Sequence, residues 1–361
     1  MKKDSNSFEK YWQDRVEQRT LFVEKSSNEL LQNMKTLYKN CVSEVTKEIE
    51  AFYGRYAKDN NLSLSDVNKR LRPSELKTAK EEMELYYDRI NKIARNKKGK
   101  VDVKLLLKYK DELRLQHAKM YLSRLEELKI QLKNKVFELG IKESELYSDA
   151  LYKTYEQSYK TLNFDMDKFL GFSTGFSGLD YEKINTAIKQ NWLESNFSDR
   201  IWKNKSKLLN QLNTTFLQGV ARNQNPVTIA QTMSKNIGVS YSNCERLCRT
   251  EMAHIQTEAT LQGYKDRGVE KYKFDATLDN RTSEICKSLD GKVFLLKEAQ
   301  VGINYPPMHA NCRSATTPYF EPDEIDSKFE ESKRVARKNG KLYEVPASMS
   351  YKEWEKTIAQ N

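Results

Sequence analysis

Apolar positions early in the chain recur every three or four residues. Leu30, Met34, Leu37, Cys41, Val45, Ile49, Phe52 and Tyr56 follow one another at those steps, the period of one apolar face on an α-helix. Ser5 or Ser7 is placed to cap this helix and Asn60-Asn61 to end it. Leu62 to Arg72 is polar and reads as a turn up to Pro73, after which Ser74 predicts the cap of a helix carrying Leu76, Ala79, Met83, Tyr86, Tyr87 and Ile90. Asn96 to Lys100 reads as a basic loop. Leu106, Leu113, Met120, Tyr121, Leu125, Leu128, Leu132, Val136 and Leu139 predict a long helix from Val101 to Leu139, with Gly140 ending it in a left-handed conformation. A further helix carries Leu146, Leu151, Tyr155 and Tyr159. These helices can close a bundle. Its many tyrosines read as core and rim rather than as a nucleic-acid stacking surface, because stacking platforms usually sit on sheets.

The pattern breaks at Gly171-Phe172-Ser173-Thr174-Gly175-Phe176-Ser177-Gly178, three glycines in eight residues. No Lys-Ser or Lys-Thr follows and no apolar strand precedes, so the stretch reads as a junction rather than a phosphate cradle. Helical spacing resumes at Tyr181 and runs through Trp192, Ile201, Trp202, Leu208, Leu212, Phe216 and Val220 to a turn at Asn223 to Pro226. Thr228 to Asn236 predicts a short helix ended by Gly238, and Ser240 or Ser242 then caps the helix bearing Cys244, Cys248, Arg249, Glu251 and His254. Cys244 and Cys248 share a face. They read as a buried thiol stripe beside Leu247 and Met252, against the alternative of a metal pair. After Gly268 the period becomes two: Lys271 to Thr277, Lys292 to Phe294 and Ala315 to Phe320 predict short strands. The loops between them are long for a small domain and are expected to be functional or internally bonded. Glu321 to Gly340 reads as helical or mobile, followed by a turn at Pro346 and a Trp354 that docks on the domain or a partner.

The predicted fold is thus mainly α with a small C-terminal α+β domain. Its expected divisions are a helical region at 1–170, a Gly-rich junction at 171–180, a helical to α+β domain at 181–320 and a charged tail at 321–361.

Composition sharpens this picture in three ways. A hydrophobic fraction of 38% and a mean hydropathy of -0.81 fit extended helices with much solvated surface better than one compact globule. The net charge of +11 favours an anionic neighbour, although 51 acidic residues interleave with 62 basic ones. Lys97, Lys98, Lys100, Lys203, Lys205 and Lys207 are the candidate phosphate contacts, with double-stranded DNA as the partner considered. No run of about 18 apolar residues exists and no apolar region follows the first residues, so neither a membrane span nor a secretory signal is expected. Five widely spread cysteines argue for reduced thiols made in a cytoplasm, not a disulfide framework.

The chemistry-bearing residues concentrate between Arg249 and Pro318. They are Arg249-Thr250-Glu251, Asp279 with Arg281-Thr282, Cys286, Asp290-Gly291, Pro306-Pro307 with His309, and Asn311-Cys312-Arg313. This combination resembles the C-terminal domain of the phage Mu F-like head morphogenesis family over roughly residues 200 to 320. The resemblance implies a minor head protein of a tailed bacteriophage, located in the virion near the portal vertex, assisting head morphogenesis and contacting portal, scaffold or major capsid protein. No enzymatic activity is expected, because the residues offer no convincing triad. A typical member carries Cys at the positions of Ser283 and Ser314, so this chain lacks two of that family's thiols.

Three accounts of the constellation compete. In the first, Asp279 accepts main-chain N–H groups of Arg281 and Thr282, Arg281 pairs with a carboxylate such as Glu251, Asp290-Gly291 makes a tight turn, and Pro307 stiffens the loop that delivers His309 and Cys312. In the second, Cys286, His309 and Cys312 with Asp279 or Asp290 form a tetrahedral zinc site. In the third, His309 activates a thiolate, but no third group orients the pair, which leaves no residue assigned as catalytic. The alternatives to a head-assembly role are a non-specific DNA-binding protein ejected with the genome and a metal- or Cys/His-dependent enzyme.

Overall fold

The computed structural model describes residues 4–57, 62–96, 107–109, 111–112, 115, 122–170, 180–192, 195–321, 333–338 and 341–346. Most of these are helical, and the small sheet lies toward the C-terminus, so the chain is mainly α with a small α+β part. Lys97, Lys98, Lys100, the glycine-rich stretch 171–178, Asn60-Asn61 and Trp354 lie outside the described residues.

Helix α1 spans Asp4–Tyr56, so Ser5 and Ser7 fall inside it and do not cap it. The stretch expected to be a turn contains a one-turn helix, α2, Leu64–Val67. There the Ser63 side chain accepts from the Asp66 N–H while the Asp66 carboxylate accepts from the Ser63 N–H. Helix α3, Pro73–Asn96, begins on its proline, whose missing N–H costs nothing in a first turn. Helix α4 spans Arg124–Leu170 and corrects two expectations at once. The chain is not helical at Leu122-Ser123, where Ser123 and Glu126 bond reciprocally as a second capping box. Gly140 does not end the helix. A Cβ there would lie 2.7 Å from the Trp202 ring, so the glycine serves close packing.

Helix α5, Tyr181–Lys189, and helix α6, Phe197–Ala221, replace the single run expected from Tyr181 to Val220. Trp192 sits between them in an isolated bridge to Ser195. Asn223 turns the chain at φ 51, and Asn225 accepts from the Thr228 N–H to open helix α7, Pro226–Asp266. This helix passes through Gly238 without a break. Ser242, expected as a cap, instead donates to the Gly238 carbonyl within the helix.

The three expected strands are present as β1, Lys271–Asp275, β2, Val293–Leu295, and β3, Ala315–Tyr319. They form an antiparallel sheet of order β2-β1-β3, with Lys273 opposite Val293 and Thr317. A one-and-a-half-turn helix, α8, Glu284–Leu289, lies between β1 and β2. Downstream the expectation of helix or mobility is corrected: β4, Lys333–Lys338, pairs antiparallel with β5, Lys341–Pro346. Asn-Gly at 339–340 is a sequence signal for a hairpin, and those two residues lie outside the described ones.

Contacts group the chain into two compact units that interleave in sequence. One, here the sheet unit, draws on Met1–Glu29, Ala150–Asn196 and Arg246–Asn361. Its core joins Trp12, Leu162, Met166, Leu261, Tyr264, Tyr272 and Tyr305, with Phe274, Cys286, Met308 and Cys312 forming an adjoining cluster. The other, here the helical unit, draws on Leu30–Asp149 and Phe197–Glu245. Within it Phe52 meets Phe216 edge to face at 5.3 Å, and Tyr109 stacks on Phe137. Tyr38, Tyr53, Tyr86, Tyr109 and Tyr147 are buried here, as a tyrosine-rich core requires, and the Tyr86 and Tyr109 hydroxyls both donate to Asn134.

Candidate functional site

Within the sheet unit, one face of α7 supports the loops that carry the motif. Thr250, Thr257 and Tyr264 recur every seven residues, and each bonds a different part of the loops and sheet. The Asn311 N–H donates to the Thr250 hydroxyl at 3.1 Å, Tyr305 donates to the Thr257 carbonyl at 3.0 Å, and Tyr264 donates to the Thr316 carbonyl at 3.0 Å. A seven-residue step keeps residues on one face of a helix, which explains how residues far apart in sequence meet the same module.

Asp279 is buried and organises the first loop. It accepts from the Arg281 N–H at 2.9 Å and from the Thr282 hydroxyl at 3.1 Å, the turn expected of it. Its bidentate partner is Arg313, through Nη1 and through Nη2 at 2.8 Å. Burial pushes the Asp279 carboxyl up, but the Arg313 guanidinium and the loop donors outweigh it and hold the acid below its ordinary range. The expected pairing of Arg281 with Glu251 is therefore corrected. Arg281 is largely exposed beside Asp279, while Glu251 is buried on α7 and accepts the Trp192 indole N–H at 3.0 Å.

Asp290 accepts from the Ala276 N–H at 2.8 Å, and Gly291, at φ +75, returns the chain so that its N–H reaches the Phe274 carbonyl. Both carboxylates proposed as a fourth zinc ligand are thus occupied with main-chain and Arg313 bonds. Neither Asp279 nor Asp290 belongs to the metal-capable cluster found among the described residues.

That cluster is Cys286, His309 and Cys312. Ser283 caps α8 and accepts from the Cys286 N–H at 3.3 Å, which places the thiol on the first turn facing inward. Asn311 adopts φ 59, so the chain doubles back and the Cys312 N–H reaches the His309 carbonyl at 3.2 Å. Pro306, Pro307 and Met308, all buried, fix the approach. The result sets Cys286 Sγ 3.5 Å from His309 Nε2 and 3.8 Å from Cys312 Sγ. His309 Nδ1 lies 2.9 Å from the Ala310 carbonyl, to which it can only donate, leaving Nε2 as the acceptor facing the thiols. The contact between the two sulfurs, together with burial, pushes the Cys286 thiol up, and the same contact holds the Cys312 thiol down.

The remaining sequence-predicted residues are more dispersed. Arg249 is half-buried on α7. Cys244 and Cys248 are buried, Cys244 beneath the Tyr147 hydroxyl and Cys248 against the Ser27 carbonyl, as apolar thiols. Lys203 and Lys207 are exposed on α6, but Lys205 is buried and paired with Glu143 at 2.5 Å, with Tyr38 bonded to both. It is no phosphate contact. Position 205 falls in step with Ile201, Leu208 and Leu212, the core face of α6.

Sequence reasoning missed the stack of Trp192 on His254, whose rings lie 4.1 Å apart and 18° from parallel, beside Glu251. The available signal was the three-residue spacing of Glu251 and His254 on one helix face. It was obscured because Trp192 read as helical. No curated protein and no solved structure matches the chain. Residues 210–317 match the family model described as Phage Mu protein F like protein, a stretch that holds α7, β1, β2, the start of β3 and the Cys–His cluster.

Proposed function

We propose that the chain is a minor head protein of a tailed bacteriophage, made in the host cytoplasm, joining the procapsid near the portal vertex and remaining in the virion. The match of residues 210–317 to the phage Mu F-like family carries this reading. The 53-residue α1 and 47-residue α4 suit it, because long amphipathic helices are common docking elements for helical partners. Portal protein is the principal partner proposed, with scaffold or major capsid protein beside it. The module's role is structural, not catalytic: Asp279, Asp290 and Thr250 spend their polar groups on holding loops, and a main-chain carbonyl orients His309. Packaged DNA is a further neighbour, met by exposed lysines such as Lys203 and Lys207.

Co-expression with the portal, scaffold and major capsid proteins of the same genome tests this. The chain should sediment with procapsids and be lost from them when portal is omitted. If it stays at the top of the gradient with all three present, the reading fails.

A further inference from the structure

We propose that Cys286, His309 and Cys312 bind a thiophilic divalent cation, zinc foremost, through two thiolates and one imidazole, with the fourth position taken by water. The inference is independent of the head-assembly reading, since a metal site of this kind serves any function that needs the two loops held together.

The distances carry it. With Zn–S near 2.3 Å and Zn–N near 2.05 Å, tetrahedral angles set the S–S edge at about 3.8 Å and the S–N edge at about 3.5 Å. The structure has 3.8 Å between the sulfurs and 3.5 Å between Cys286 Sγ and His309 Nε2, and all three ligand atoms lie within 4.8 Å of one another. The histidine is prepared in the manner of a ligand, with Nδ1–H directed at the Ala310 carbonyl and Nε2 turned to the sulfurs. The floor of the site is apolar: Phe274, Ala276 and Met308 pack around the two cysteines, with Leu289 and Phe294 at the edge. Such a floor strengthens charge–charge attraction at the metal. His309 is half-buried and Ala310 and Asn311 are exposed, so the site opens to solvent on one side, where a water ligand can enter.

The charges balance. Binding releases one proton from each thiol, and two thiolates, a neutral imidazole and a divalent cation sum to zero. Ser283, whose hydroxyl accepts the Cys286 N–H, acts as a support and not a ligand. The competing use of the same atoms, a Cys286–Cys312 disulfide, requires an external oxidant and gives His309 no part.

The full-length chain, purified under reducing conditions without chelator, should retain about one equivalent of zinc by elemental analysis. The metal-free protein should take up cobalt(II) with the intense visible absorption of tetrahedral coordination and a thiolate charge-transfer band. Cys286→Ser should abolish stoichiometric uptake. His309→Gln, a half-buried change that leaves the core intact, should weaken zinc binding by more than roughly tenfold, the minimum expected even for a lost supporting contact. Ser314→Cys adds a thiol beside Cys286 and should tighten it. Circular dichroism of each variant separates lost binding from lost folding. Failure of the folded, reduced wild-type chain to take up either metal overturns the proposal, as does a purified form two mass units lighter that resists thiol alkylation.

Discussion

Lys205 and Lys203 stand two residues apart on α6 and behave oppositely. Lys205 is buried against Glu143 and Tyr38, so Lys205→Met or Glu143→Gln leaves a charge buried without its counterion. Loss of about 3–5 kcal/mol is expected in denaturant unfolding. Exposed Lys203 and Lys207 should each change stability by less than about 0.5 kcal/mol when replaced by Ala. In DNA retention assays their joint removal should reduce the slope of log K against log salt by about 2. Two glycines of the helical unit form a second contrast. Gly140→Ala drives a methyl into the Trp202 ring and should cost about 1–3 kcal/mol, whereas Gly238→Ala meets open space and should add about 0.5–1 kcal/mol. The repeat of Ile201, Leu208 and Leu212 marked position 205 as core, but its formal charge argued for the surface. Only the presence of Glu143, 62 residues away in sequence, resolves the conflict.

At the scale of elements, the clamp of Asp279 on Arg313 ties the loop after β1 to the start of β3. Asp279→Asn should cost roughly 1.5–3 kcal/mol at neutral pH. The folded carboxyl is held below its ordinary value, so its contribution is complete above the unfolded pKa and is lost as pH falls through the folded one. The gap in thermal midpoint between wild type and Asp279→Asn should therefore shrink below pH about 4. A gap that widens in acid would contradict this assignment. The strands, the long loops and the Asp279 turn were legible because period-two alternation and Asx chemistry are local. The Arg313 partnership was not, since Arg281 and Arg313 are equivalent donors until the loops are folded. Helix ends were misread at Gly140, Gly238 and Ser240 for a similar reason: glycine and serine signal a stop only where packing does not require the helix to continue.

At the scale of the molecule, the family-matched stretch and the folding unit differ. The sheet unit completes its core with Trp12 from α1 and Leu162 and Met166 from α4, outside residues 210–317. Gln13 also donates to Asp275 on β1 at 2.8 Å. An excised fragment of residues 197–321 should lack dispersed amide resonances and bind a hydrophobic dye. Trp12→Ala in the full chain should cost about 3–5 kcal/mol. A well-folded fragment would show that the sheet does not need these helices.

By itself the sequence determined the helix-rich class, the three short strands, the Asp279 and Gly291 turns and the kinship of the C-terminal module, since each rests on short-range periodicity or closely spaced motifs. Tertiary structure alone decided which arginine meets Asp279, that Lys205 is core, and that Cys286 joins His309 and Cys312 while both aspartates turn elsewhere. The loop outcomes depend on which segments α7 brings together and the Lys205 outcome on Glu143 from another helix, and a hydrogen bond or ion pair across 26, 34 or 62 residues leaves no mark on the local pattern.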